Sequence, residues 1–133
     1  MRILFADTCY YLALLMERDQ YAKQAREFTK DFPGRFVTTT AVLTEVGNAL
    51  ARTAQRAVFV PLIDVLAESS AVNIVHASFN EWDRASRLYD ARPDKSWSLT
   101  DCLSFIVMQE QGLTEALTAD RHFEQAGFTI LLK

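Results

Sequence analysis

Two kinds of hydrophobic pattern alternate along this chain. Short apolar or β-branched runs occur at Ile3–Ala6, Phe36–Thr39, Val72–Val75, Ala116–Thr118 and Thr129–Leu132. Each is too short for a helix and is bounded by polar or turn residues, so each reads as a strand. Longer segments between them have helical spacing. Thr8–Glu17 is rich in Leu, Ala and Met, and Tyr21–Lys30 ends at the breaker Pro33-Gly34. A third helix is expected to begin in the threonine cluster Thr38–Thr40, a good source of N-caps. Its apolar stripe is Val42, Val46, Ala49 and Leu50. At about 100° per residue Glu45 falls on the rim of that stripe.

A helix or helix pair is expected over Ala54–Glu68, where Pro61 must kink it or open its second half. Its apolar residues point in more than one direction, which reads first as deep packing and second as a partner surface. Ser78–Tyr89 reads as a helix with Phe79, Trp82, Ala85 and one of Leu88 or Tyr89 turned inward. Ala91–Trp97 is a mostly polar loop. Leu99–Gln111 is helical, with Leu99, Cys102, Leu103 and Ile106 on one stripe and Gly112 as its stop. Arg121–Ala126 makes one or two turns before Gly127. Strands alternating with helices imply an α/β fold with a mainly parallel central sheet. At 133 residues, with no linker or repeat, the expectation is one domain over 1–133.

Four acids stand out within this framework. Asp7 and Asp120 directly follow predicted strands, and Asp101 completes the capping-box-like Ser98-Leu99-Thr100-Asp101. Taken singly, each of the three is read most simply as a helix cap. Glu45 is different, because a charge beside a buried stripe needs a partner. Ligands of open parallel sheets bind outside the carboxyl ends of the strands. Acids gathered there must take up protons or hold a cation, and Mg²⁺ or Mn²⁺ suits an all-oxygen site.

Composition removes other options. Seventeen acids oppose fourteen Lys and Arg, a formal charge of -3, so bulk charge gives no reason to expect nucleic-acid binding. Without the four acids above, the remaining thirteen fall one short of the cations, which leaves a surface not strongly repulsive to phosphate. The longest apolar runs fall far short of the ~20 residues of a membrane span. Asp7 interrupts the N-terminal apolar stretch, so no signal peptide is expected and the cytoplasm is the default location. Cys9 and Cys102 read as small buried residues rather than a disulfide framework. No phosphate-cradling glycine loop and no nucleophile elbow occurs. His76 and His122 lack zinc-ligand spacing; the plainer readings are a structural His76 and a surface His122, the alternative being that His122, close to Asp120, approaches a substrate. Asp7-Thr8-Cys9 lacks the second aspartate expected of an aspartyl-phosphate phosphatase.

Four segments carry a family resemblance. They are Leu4-Phe5-Ala6-Asp7-Thr8, Thr44-Glu45-Val46, Ser98-Leu99-Thr100-Asp101-Cys102 and Thr118-Ala119-Asp120-Arg121-His122-Phe123. In this order they resemble the acidic motifs of PIN-domain nucleases, and the chain's size is similar to that of VapC-type toxins. The resemblance implies a three-layer α/β/α domain and Mg²⁺- or Mn²⁺-dependent hydrolysis of RNA phosphodiester bonds. It also implies that Asp7, Glu45, Asp101 and Asp120 hold the metal and the attacking water, with Thr118 and Ser98 supporting them. The partners it implies are an RNA substrate, a second copy of the chain and a cognate antitoxin. The apolar Ala54–Leu66 segment and Tyr10, Tyr11, Leu14 and Leu15 of the first helix are the candidate contact surfaces. Arg52, Arg56, Arg84, Arg87, Arg92, Lys95 and Arg121 are candidates for phosphate contacts. The alternatives are a non-catalytic domain that binds RNA or protein, and a different α/β phosphotransfer or phosphatase enzyme.

Overall fold

The computed structural model describes residues 1–133, in which five strands and seven α-helices alternate. The strands are β1 (Ile3–Ala6), β2 (Arg35–Thr39), β3 (Val72–Val75), β4 (Glu115–Leu117) and β5 (Thr129–Ile130). The helices are α1 (Thr8–Leu15), α2 (Ala22–Asp31), α3 (Thr40–Leu50), α4 (Phe59–Glu68), α5 (Phe79–Ala91), α6 (Leu99–Glu110) and α7 (Arg121–Gln125). The strands form one sheet in the order β3-β2-β1-β4-β5, and every neighbouring pair is parallel. The expected α/β fold is therefore observed, with a wholly parallel sheet flanked by helices.

Central strands of parallel sheets are covered on both faces and so are apolar throughout. β1 fits this rule, for Leu4, Phe5 and Ala6 are all fully buried. From β1 the chain builds outward through β2 and β3, then returns to β1's other side for β4 and β5. The reversal between β1 and β4 is a topological switch point, where the connections leave a crevice at the carboxyl edge of the sheet.

The core gathers around α6. Every residue from Asp101 to Met108 is buried, so α6 is enclosed on all sides rather than along the single predicted stripe. Phe105 packs edge-on against Trp97 and Phe123, with ring centroids 5.1 and 5.0 Å apart. Trp97 thus anchors the end of an otherwise polar loop.

Several helix faces differ from expectation. The Thr39 hydroxyl caps α3 as predicted, accepting from the Val42 N–H at 3.1 Å. The buried stripe of α3 is Val42, Leu43, Val46 and Leu50, while Ala49 is exposed on the same rim as Glu45. The Ala54–Glu68 segment is not one helix. A turn and a single 3-10 turn (Arg56–Val58) precede α4, and Pro61 lies in α4's first turn, where no backbone donor is lost. Deep packing of α4 is also overturned. Leu66 is its one buried residue, and Val60 and Val65 are 62% and 65% exposed. α4 packs on the core through Leu66 and the half-buried Phe59, Leu62 and Ile63, so of its apolar side chains Val60 and Val65 face outward.

On α5, Ala85 is buried, but Phe79, Trp82 and Tyr89 are exposed. The small Ala85 lets α5 lie close against α6. The first-turn aromatics fall outside that contact and partly cover each other, with centroids 6.0 Å apart. Tyr10 and Tyr11 are core residues rather than a contact surface. Their rings meet edge to face at 5.1 Å, and the Tyr10 hydroxyl bonds Thr29. No helix is long and apolar enough to cross a membrane.

Candidate active site

Strand register brings the first two site residues together. Ala6 pairs with Leu117, so the residues that follow, Asp7 and Thr118, emerge side by side. The Thr118 hydroxyl donates to Asp7 Oδ2 at 2.9 Å and accepts from the Asp120 N–H at 3.1 Å. One buried hydroxyl thereby ties the end of β1 to the turn after β4. Asp7 stands at the N-cap position of α1 but makes no side-chain cap bond. The simple capping role open to it from the sequence is not taken up.

Asp101 and Asp120 do cap their helices. The Ser98 hydroxyl accepts from the Asp101 N–H at 3.0 Å, and the Ser98 N–H donates to Asp101 Oδ2 at 3.1 Å, a complete capping box. Asp120 Oδ1 accepts from the His122 N–H at 2.9 Å. Glu45 comes from the rim of α3, and its Oε1 accepts from the Thr8 hydroxyl at 2.6 Å. In Glu45, Asp101 and Asp120 the second carboxylate oxygen has no protein donor. The capping and ligand-binding readings are thus compatible, since the fold fixes one oxygen and leaves the other free.

All four acids line one cleft of about 460 Å³ at the carboxyl edge of the sheet. The lining also includes Thr8, Cys9, Asp19, Ser96, Ser98 and His122, and it contains no lysine or arginine. Five carboxylates therefore face a common space without a permanent cation among them. Asp7 shows the consequence most strongly. Burial, with help from the charges of Asp101 and Glu45, pushes its carboxyl up to about 7 against the opposing pull of the Thr8 amide and the Thr118 hydroxyl. Cys9 is only half-buried and borders the cleft; burial pushes its thiol up as well.

The sequence reading did not single out Thr8, Asp19 or Ser96 as lining residues, and it took His122 first as a surface residue. His122 is not simply at the surface, because its Nδ1 lies 3.0 Å from Asp101 Oδ2 and 3.3 Å from Asp120 Oδ1. Two acceptor-only neighbours call for a proton on that nitrogen. Its Nε2 faces the Ser96 hydroxyl at 3.2 Å. The signal was the Asp-Arg-His spacing, because Asp120 capping the His122 amide draws that ring toward the acid. Thr8, next to Asp7, was legible only with the α1–α3 packing in hand. Asp19 gave no signal. It sits in the turn after α1, where its carboxylate accepts from the Tyr21 N–H at 2.8 Å.

The donor set suits a hard divalent cation. Asp101, Asp120 and His122 offer donor atoms all within 4.8 Å of one another. Asp7 and Glu45 add charge from the same cleft. Carboxylate oxygens in the majority, with no thiolate cluster, favour Mg²⁺ or Mn²⁺ over zinc.

Known proteins share this arrangement of chain. The PIN domain model matches residues 4–129. The 23S rRNA-specific endonuclease VapC20 of Mycobacterium tuberculosis is 25% identical over 126 residues, covering 95% of each chain. The crystal structure of that Sarcin-Ricin loop cleaving toxin superposes with a TM-score of 0.89 at 25% identity, over 98% of this chain and 99% of the other. A toxin-antitoxin complex from Klebsiella pneumoniae contains a chain of the same fold, with a TM-score of 0.68 at 17% identity over 96% and 95% of the two chains. A match that begins inside β1, ends inside β5 and takes in every acid of the cleft identifies this chain as a member of the PIN-domain family.

Proposed function

We propose that this protein is a Mg²⁺- or Mn²⁺-dependent endoribonuclease, the toxin of a toxin–antitoxin pair, acting in the cytoplasm on structured ribosomal RNA. The observation that carries the reading is the cleft itself, in which Asp7, Glu45, Asp101 and Asp120 converge at the switch point with no lysine or arginine among them. The likeness to VapC20 over nearly the whole of both chains supports the substrate class.

In this reading the four acids hold the metal, and His122 shares Asp101 and Asp120 with it. When bound, the cation supplies positive charge for the scissile phosphate and promotes ionisation of water. The chain's own groups do the positioning. Thr118 fixes Asp7 relative to Asp120, Ser98 fixes Asp101, and Thr8 fixes Glu45. A carboxylate oxygen left without a protein donor accepts the proton of the attacking water. Purified protein is expected to cleave ribosomal RNA in Mg²⁺ or Mn²⁺, to stop when EDTA is added, and to recover when the metal is restored. Cleavage that persists in EDTA would sink the mechanism.

The exposed face of α4 is the proposed contact for an antitoxin or a second copy of the chain, since Val60 and Val65 are apolar and uncovered. Replacing both by Asp is expected to weaken that assembly. An unchanged mass by light scattering, together with undiminished co-purification of the antitoxin, rules this placement out.

A further inference from the structure

A second cavity of about 390 Å³ adjoins the acidic cleft. It lies between the end of α5 and the loop that leads to α6. Its lining includes Tyr89, Asp90, Arg92, Lys95, Ser96 and Trp97. Ser96 lines both spaces, so the cavity borders the cleft at this residue. The volume falls in the range of about 300–1,000 Å³ common to small-ligand pockets.

The charges of the loop are divided between structure and solvent. Arg92 is committed to the fold. Its guanidinium lies 5.3 Å from the centroid of the Trp97 ring and makes two 2.9 Å hydrogen bonds to Asp94. Trp97 is held in turn by the edge-on contact with Phe105 and by its indole N–H donating to Gln125 at 3.0 Å. The loop is therefore anchored at both ends. The other cations named from the sequence are engaged in a similar way. Arg84 pairs with Glu110, Arg87 with Asp83 and Arg121 with Glu124, while Arg56 donates to the Ala51 carbonyl. Of the seven cations named from the sequence, Arg52 and Lys95 alone make no ion pair or side-chain hydrogen bond, and of these two only Lys95 borders the cavity. Beside it, Tyr89 is 56% exposed.

We propose that this cavity is a nucleotide subsite, which takes the residue of an RNA strand next to the bond positioned over the acids. The inference rests on the ribonuclease reading above. The Lys95 ammonium binds the backbone phosphate of that nucleotide, and the exposed Tyr89 ring stacks on its base. Ammonium and aromatic face are the two groups that single-stranded RNA needs, and neither is used elsewhere in the fold. The acidic cleft repels phosphate until a metal is bound, so a cation placed outside it supplies attraction that the cleft lacks. Asp90, the one acid on this wall, accepts hydrogen bonds from a base rather than contacting the backbone.

The test is steady-state cleavage of ribosomal RNA by wild type, Lys95→Ala, Lys95→Arg, Tyr89→Ala and Tyr89→Phe across a range of salt. Lys95→Ala is expected to raise KM about five- to tenfold with little change in kcat. It also flattens the slope of log(kcat/KM) against log salt by roughly 0.7–1, the effect of one lost phosphate contact. Lys95→Arg restores most of the affinity. Tyr89→Ala raises KM without changing the salt slope, and Tyr89→Phe behaves as wild type. If wild type cleaves RNA while Lys95→Ala and Tyr89→Ala keep its KM, the subsite is wrong and the ribonuclease reading stands. If kcat falls at constant KM, Lys95 acts in the chemistry and the subsite is again wrong. Wild type that neither binds nor cleaves RNA overturns both.

Discussion

Asp101→Asn is expected to lower RNA cleavage by roughly a thousandfold or more, a barrier increase of about 4 kcal/mol, while leaving the protein folded. The substitution is nearly isosteric. The residue-101 N–H still donates to the Ser98 hydroxyl and an amide oxygen still accepts from the Ser98 N–H, so the capping box survives, and the loss to stability is on the order of 1 kcal/mol or less. The loss to the site is of another kind. Asp101 Oδ2 serves both the Ser98 amide and His122 Nδ1, and its second oxygen has no protein donor. Asparagine removes the negative charge and offers either an N–H₂ donor to the free side of the site or a donor toward His122, which already donates there. Both orientations spoil a metal position. Activity within about tenfold of wild type, in a protein with unchanged circular dichroism, would remove Asp101 from the metal-holding set.

The architecture was legible in the sequence because parallel strands leave a strong signature. Ile3–Ala6 is an uninterrupted apolar run because β1 is covered on both faces, and its boundaries were read off directly. The acids were legible because Asp7 and Asp120 terminate such runs, and strand ends are where a parallel sheet places its site. Helix faces were harder to assign. Phe79 and Trp82 carry the hydrophobicity of core residues at helical spacing, yet Phe79 is 78% exposed. The small Ala85 makes the close contact on α5, and size rather than hydropathy decides that packing. α4 failed for the converse reason. Phe59, Leu62, Ile63 and Leu66 form the stripe at i, i+3, i+4 and i+7 that the core covers, and the extra apolar residues Val60 and Val65 off that stripe made the helix look buried all round.

Within the site, local signals identified caps and missed long-range partners. Ser98 and Asp101 stand three residues apart, so their capping box can be read from spacing. Thr8 and Glu45 are thirty-seven residues apart, and Thr118 and Asp7 one hundred and eleven. Only the register of β1 against β4 and the approach of α1 to α3 bring these pairs together. Asp19 is the extreme case, a turn residue whose place in the cleft follows entirely from the packing of the loop after α1.

The other large effect is thermodynamic, and it reverses with metal. In the metal-free protein Asp7→Asn is expected to raise stability at pH 8 and to leave it unchanged near pH 4. The Asp7 carboxyl is pushed up to about 7 in the fold, chiefly by burial, whereas an unfolded aspartate titrates near 3.9. Between those values the folded state holds a proton that the unfolded state has released. Metal-free stability therefore falls as pH rises through this window, and the loss is complete above about 7. Each unit of displacement corresponds to about 1.4 kcal/mol, so ionised Asp7 costs the fold on the order of a few kcal/mol. Asparagine keeps an acceptor for the Thr118 hydroxyl and has no charge to bury. For a chain of 133 residues the expected gain at pH 8 is on the order of 5–10 °C in Tm. Millimolar Mg²⁺ acts in the opposite sense. A cation that binds only the folded wild type stabilises it by mass action, and the variant, short of one negative charge at the site, gains less. Melting curves of both proteins at pH 5 and pH 8, in EDTA and in Mg²⁺, resolve the two contributions. Parallel melting of wild type and variant at both pH values in EDTA would show that buried charge at Asp7 does not destabilise the fold. Equal gains from Mg²⁺ would show that Asp7 does not hold the metal. A wild type that loses stability between pH 5 and pH 8 and regains it with Mg²⁺ meets both expectations, because the acids that strain the empty cleft are then the ones that fill it with a cation.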